Sequence, residues 1–237
     1  MYTNQVTSAG GGLPPHVVLV EVAHEAMKNN NYLIIDPNSR QAVVVDPAWQ
    51  LDKLEQTLNH SQVSLSGILI THTHPDHIHL AKIMADKYNV PIWMSEQEIA
   101  SSGFAAEQLE PIDDSPWTVG QMEITPILTP GHTPGCVCFL IGDNLFTGDV
   151  LFAEGCGICF DVPGAHAMFY SLADLKARLH PDTRIYPGHT YVKPPGQKFS
   201  DVIKRNMYLQ FQDIESFTGY RLRAGQTTKK VLNFRKD

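Results

Sequence analysis

The chain has 237 residues, 43% hydrophobic and 18% charged, which suffices for one large domain or one domain with an appendage. No run approaches the roughly 20 apolar residues of a membrane helix, and residues 1–12 lack a basic-then-apolar secretion pattern, so a cytoplasmic location is expected. Net charge is −7, yet residues 221–237 carry six Lys/Arg and one acidic residue, leaving 12 basic against 24 acidic upstream, a balance that disfavours a general nucleic-acid binder.

In chain order, residues 1–15 read as a loose leader. Residues 16–22 and 32–35 read as strands, and a Pro-Asn-Ser turn after Asp36 feeds a strand over 42–46, making a hairpin. Leu51, Leu54 and Leu58 mark a helix face, and residues 67–71 a buried strand. Leu80, Ile83, Met84 and Tyr88 recur at helical spacing and predict one apolar face. Residues 90–93 form a short strand, and Ser95-Glu-Gln-Glu98 is a capping pattern for another helix. Residues 102–117 read as an irregular loop over the site. Strands are expected over 121–128, 136–141 and 144–146, with Gly142-Asp143 a tight turn. Met168, Leu172, Leu175 and Leu179 mark a further helix, residues 184–186 the last strand, and the chain from Phe199 onward is helical. No repeat of 20–50 residues is present, which excludes a solenoid. The expected architecture is α/β, two sheets sandwiched between helices, with a domain over 1–195 and a helical extension over 196–237 packed on it.

One stretch organises the rest: Thr71-His-Thr-His-Pro-Asp-His-Ile-His79, between a strand and a helix. His72 and His74 are two apart, so on extended backbone both imidazoles leave on one side and can grip one ion. Asp76 and His77 are adjacent and leave in different directions, which suits a second ion. Imidazole with carboxylate favours zinc, iron or manganese over calcium or magnesium. His132, Asp149 and His189 each follow a β-prone run and are introduced by Gly, which permits a sharp turn. In open α/β architectures chemistry gathers beyond the carboxyl ends of strands.

The four cysteines are Cys136, Cys138, Cys156 and Cys159. Cys136 and Cys138 alternate along an apolar strand and read as buried free thiols. Cys156-x-x-Cys159 has ribbon spacing but no second pair, so neither zinc nor a catalytic dithiol is expected there.

His72-x-His74-x-Asp76-His77 with His132, Asp149 and His189 resembles the full ligand set of the metallo-β-lactamase superfamily, over residues 30–192. The resemblance implies the αββα sandwich and a two-metal site. It assigns His72, His74 and His132 to one ion, Asp76, His77 and His189 to the other, and Asp149 as the bridge. Asp46 would stand behind the ligands and orient one of them. Two close divalent ions, Zn2+ or else Fe or Mn, lower the pKa of a shared water to give a bridging hydroxide and polarise a carbonyl oxygen. Asp76 would accept the nucleophile's proton.

Ala153-Glu-Gly-Cys-Gly157 and Gly188-His-Thr-Tyr191 resemble the glyoxalase II branch, which hydrolyses glutathione thioesters. That branch carries Lys or Arg where this chain has Ile158, and a longer helical C-terminal domain; Tyr191 alone matches its glutathione contacts. Cys156-Gly-Ile-Cys-Phe160, Asn206-Met-Tyr-Leu-Gln-Phe211 and Tyr220-Arg-Leu-Arg-Ala-Gly225 are similar to the zinc hydrolases of trans-acyltransferase polyketide synthases. That resemblance implies release of acyl groups from an acyl carrier protein. Ile158, Phe160 and Tyr191 would line the channel for its phosphopantetheine arm, and the basic segment from Arg221, with Arg223, would steer the acidic carrier. The alternatives are a hydroxyacylglutathione hydrolase, a persulfide dioxygenase with one iron, a nucleic-acid phosphodiesterase, and a binding module. Ile158 weakens the first two, the acidic body the third, and the filled ligand positions the last. His79 reads as a surface or supporting residue.

Overall fold

The computed structural model describes residues 13–225. The first sheet holds β1 (His16–His24), β2 (Met27–Ile35), β3 (Gln41–Val45), β4 (Ser64–Leu69), β5 (Ile92–Ser95) and β6 (Leu109–Ile112), in that spatial order. The second holds β7 (Trp117–Val119), β8 (Met122–Leu128), β9 (Val137–Ile141), β10 (Asn144–Gly148), β11 (Arg184–Pro187) and β12 (Gln197–Lys198), ordered from β12 to β7. The first three strands pair antiparallel; β3 to β6 run parallel. Parallel neighbours need crossovers, and α1 (Leu51–Ser61), then α2 (Pro75–Ile78) with α3 (Ala81–Tyr88), then α4 (Glu96–Ser102) supply them. In the second sheet β10 and β11 are parallel, joined through α5 (Val162–Arg178).

The two-residue period of a strand builds the layers. Val43 and Val45 of β3 join a core shared with Phe139 and Phe146 of the opposite sheet, while Ala42 and Val44 join the core beneath the first sheet's helices. Tyr32 and Ile34 of β2 likewise face the other sheet, and Leu33 and Ile35 the helices. A third core packs Leu145 and Ile185 against Met168, Leu172 and Leu175 of α5. Helices therefore cover both outer faces, and the fold is the αββα sandwich. No helix among the described residues is long and apolar enough to cross a membrane.

Three expectations are corrected. Ile83 is 48% exposed; the buried face of α3 is Ala81, Met84 and Ala85, with Leu80 just before it. Residues 102–117 are not wholly irregular, since Leu109–Ile112 adds β6 in parallel to β5. The strand over Arg184–Pro187 is not the last, because β12 pairs with it.

Beyond β12, α6 (Phe199–Arg205), a 3-10 turn (Met207–Leu209) and α7 (Ile214–Arg221) place Phe199, Val202, Tyr208, Leu209 and Phe217 in the same core as α5. Arg221 is 3% exposed and donates to the Tyr208 hydroxyl at 2.7 Å. The Arg223 guanidinium lies 3.7 Å over the Tyr220 ring. Arg221 thus ties the tail to the body, not to a partner, and the steering role expected of it is withdrawn. Residues 1–12 of the leader expected over 1–15, and the remaining basic residues Lys229, Lys230, Arg235 and Lys236, lie outside the described residues.

Candidate metal centre

The predicted side chains converge at the carboxyl ends of strands from both sheets. Asp46 follows β3, His72 and His74 follow β4, and Asp76 and His77 lie in α2. His132 follows β8, Asp149 follows β10, and His189 follows β11. Gly188 is required by close approach: a Cβ there would sit 2.5 Å from His77 Cε1 and 2.8 Å from Asp149 Oδ1.

The side chains form two clusters. In one, ligand atoms of His72, His74 and His132 all lie within 4.8 Å of one another, with His74 Nδ1 3.1 Å from His72 Nε2 and 3.0 Å from His132 Nε2. In the other, Asp76, His77 and His189 meet the same limit. Asp149 stands between them. Its Oδ2 is 3.6 Å from His132 Nε2, and its Oδ1 is 3.5 Å from His77 Nε2 and 3.4 Å from His189 Nε2.

Hydrogen bonds behind the rings set their orientation. His132 Nδ1 donates to the Ile158 carbonyl at 2.8 Å, His189 Nδ1 to the Lys28 carbonyl at 2.7 Å, and His77 Nδ1 to Asp46 Oδ2 at 2.9 Å. Each Nε2 lone pair is then aimed into the site, the arrangement that metal-binding histidines need. Asp46 also lies within 4.8 Å of His72 and His77 ligand atoms, but its oxygens already accept from Thr71 N at 2.8 Å, Thr71 Oγ1 at 2.6 Å and His77. Those bonds fix its carboxylate behind His77, which it orients. Asp46 holds a left-handed φ of 49°, a conformation costly for a non-glycine residue and one that recurs at functional sites.

The electrostatics separate the clusters. Burial, then repulsion from His77 and His132, pushes His72 well below the ordinary imidazole range, and burial lowers His74 as well. Burial opposes protonation of His77 and His189 too, but Asp149 together with Asp46 and Asp76 at His77, and Asp149 together with Asp76 and the Lys28 carbonyl at His189, overcomes it and raises both. Burial would raise Asp76 and Asp149; hydrogen bonds and the charges of His77 and His189 overcome it and hold both carboxyls below their usual range. His72 and His74 are thus held toward neutral imidazole, while Asp76 and Asp149 are held toward the carboxylate.

The donor set fits two divalent ions. His77 Nε2 and Asp149 Oδ1 are buried with no hydrogen-bond partner, although leaving such atoms unmatched costs about 1–3 kcal/mol each. A bound cation would satisfy both. Three-nitrogen and mixed nitrogen–oxygen sets suit zinc and its neighbours.

The family model described as the metallo-beta-lactamase superfamily matches residues 26–189. The chain belongs to that superfamily. It is 41% identical over 218 residues to a probable polyketide biosynthesis zinc-dependent hydrolase, BaeB, of Bacillus velezensis, covering 91% of this chain and 96% of the relative. It is 34% identical to a hydroxyacylglutathione hydrolase of Brucella ovis, covering 73% of this chain and 67% of the relative. Among solved structures, a metallo-beta-lactamase from Staphylococcus aureus superposes with a TM-score of 0.83 at 20% identity, over 94% of this chain and 71% of that one.

Within this superfamily fold, three buried asparagines of β2 escaped the sequence reading, which began that strand at Tyr32. Asn29 Nδ2 donates to Asp76 Oδ2 at 2.9 Å and to the Asp76 carbonyl at 3.0 Å. Asn30 donates to the Pro187 carbonyl at 3.0 Å and to Thr190 Oγ1 at 2.9 Å, bracing the His189 loop. Asn31 bonds the Asp46 carbonyl and accepts from Ala48 N at 3.1 Å, holding the left-handed turn. Three consecutive asparagines leading into the apolar run Tyr32–Ile35 were the available signal.

The expected substrate residues flank the site. Phe160 is 65% exposed with its ring 6.3 Å from that of His132; Tyr191 is 48% exposed, 6.4 Å from His189. Ile158 is half-buried and its carbonyl holds His132. His79 is exposed and packs on Trp49 with centroids 4.8 Å apart. All four cysteines are buried and free.

Proposed function

We propose that this protein is a metal-dependent hydrolase of acyl thioesters that releases acyl groups from an acyl carrier protein in polyketide biosynthesis. The observation that carries the hydrolase reading is Asp149, whose two oxygens face two separate donor clusters. His72, His74 and His132 would hold one ion, and Asp76, His77 and His189 the other. When bound, such a pair supplies an acidified water and a Lewis acid for a carbonyl oxygen. Asp46 keeps His77 in the tautomer whose Nε2 faces inward. Asp76, ionised at neutral pH, takes the proton of the attacking water as the C–O bond forms and the C–S bond breaks. The leaving thiol has a pKa of about 8.5, so the sulfur is more basic than Asp76 and the proton passes on to it without a separate strong acid.

The carrier reading rests on the flanks and the relatives. Ile158 stands where a glutathione carboxylate would need a cation, while Phe160 and Tyr191 give apolar walls suited to an amide-rich arm. The Bacillus relative is named a probable polyketide biosynthesis hydrolase. The likeness to the Brucella hydroxyacylglutathione hydrolase supports a second reading, glutathione thioester hydrolysis. Matched acyl groups on carrier protein, coenzyme A and glutathione decide between them. The carrier thioester is expected to show a kcat/KM at least about tenfold above acyl-glutathione; the reverse order rejects the carrier. Oxygen consumption with a persulfide would instead indicate the dioxygenase chemistry.

A further inference from the structure

Glu98, on α4, supplies none of the proposed ligands, yet it is buried to 1% exposure. The capping pattern around Ser95 forms as expected, with Ser95 Oγ accepting from Glu98 N at 3.1 Å. In a capping box the carboxylate of this residue would turn back to the Ser95 N–H. Here it turns away. Glu98 Oε1 accepts from Thr73 N at 2.8 Å and Thr73 Oγ1 at 2.6 Å. Glu98 Oε2 accepts from Thr133 Oγ1 at 2.5 Å and Gly135 N at 3.1 Å.

These four bonds have one geometric consequence. Thr73 lies between His72 and His74, and Thr133 directly follows His132. A single carboxylate therefore joins the two loops that assemble the three-histidine cluster. Gly135 makes the junction tight: a Cβ there would lie 2.0 Å from Glu98 N, and Ser95 Oγ donates to the Gly135 carbonyl at 2.5 Å. Among the described residues Glu98 takes part in no ion pair. Burying an anion is costly unless donors satisfy it, and the four donors here do so; an apolar residue at this position would leave the Thr73 and Gly135 N–H groups without their acceptor. Four donors therefore hold one buried carboxylate between the two loops that carry His72, His74 and His132, which fixes how those loops face one another.

We infer that Glu98 is a positioning residue for the His72/His74/His132 half of the centre, setting the affinity of that ion and not of the other. The inference rests on the two-ion reading above. Stepwise zinc affinities, measured on the full chain by competition with a chelator, test both separately. Wild-type protein taking up fewer than two ions would reject the two-ion reading whatever Glu98 does.

Given two ions, Glu98→Gln keeps the shape and can accept on one atom only. It should weaken one zinc-binding step by about 10–100-fold, leave the other unchanged, and preserve the melting temperature of the metal-free protein within a few degrees. In a His132→Ala background the same change should have no further effect, because the half it supports is already lost. Equal weakening of both steps, no weakening, or an undiminished loss in the His132→Ala background would overturn the assignment. Should Glu98→Gln fail to fold, Thr133→Val removes one of the four bonds at nearly constant volume; it should shift the same step alone, by a smaller factor, and a shift of both or neither would count equally against the proposal.

Discussion

Asn29 and Asp76 are 47 residues apart in sequence, yet the Asn29 amide spans the Asp76 carboxylate and the Asp76 carbonyl at once, at 2.9 and 3.0 Å. On its other side Asn29 Oδ1 accepts from Trp49 Nε1 at 3.0 Å, so the amide cannot rotate without breaking a third bond. Asn29→Leu removes the bonds at similar volume. Activity on a thioester should fall by about 10–100-fold, mainly in kcat, with two ions still bound. Pre-steady-state and metal measurements on the same preparation check this; unchanged kcat would show that Asp76 needs no such support.

Asp149→Ala takes away the oxygen that faces each cluster. Elemental analysis is expected to find less than one ion per chain, with activity down more than about 100-fold and the fold intact by circular dichroism. Retention of one full equivalent together with activity would mean that the site works with a single ion.

The buried thiols should be bystanders. Burial pushes Cys159 up to about 11, against the pull of Arg221, and raises Cys156, Cys136 and Cys138 further above the ordinary thiol range. They are protonated at neutral pH and poor nucleophiles. Cys159→Ser should therefore retain most hydrolysis under reducing conditions, and iodoacetamide should label the native protein slowly. Abolished hydrolysis with both ions still bound would assign the thiols a role.

Asp36 links the β2–β3 turn to the second sheet. Burial would raise its carboxyl, but Ser39 Oγ at 2.6 Å, Gln121 N at 2.7 Å and Asn38 N at 2.9 Å lower it to about 2. A carboxyl whose folded pKa is depressed stabilises the fold fully above its unfolded pKa, about 3.9. That contribution disappears as pH falls from there through about 2. Asp36→Asn should cost roughly 1–2 kcal/mol at neutral pH, a loss of about 2–8 °C in Tm, and the difference from wild type should vanish at the acid end. Thermal melts from pH 7 to pH 2 check it, and a pH-independent difference would refute the assignment.

Much of this protein is local. The apolar run Ala42–Val45 after its Pro-Asn-Ser turn and the Leu51, Leu54, Leu58 spacing identified strand and helix without neighbours, because both signals lie within a few residues of chain. The residues proposed as ligands were legible for a related reason: imidazoles and carboxylates at strand ends, introduced by glycine, combine chemistry with turn geometry over a few residues. Helix α3 shows the limit, since spacing alone admitted Ile83 to the face and only packing against β4 and β5 turned it outward. Tertiary structure alone decided which polar residues support the site. Glu98 reads locally as a cap and Arg221 as a surface charge; each is buried, and the partners that satisfy it, Thr133 and Tyr208, stand 35 and 13 residues away. A buried polar group is stable only where distant donors and acceptors meet it, and that meeting is a property of the folded chain.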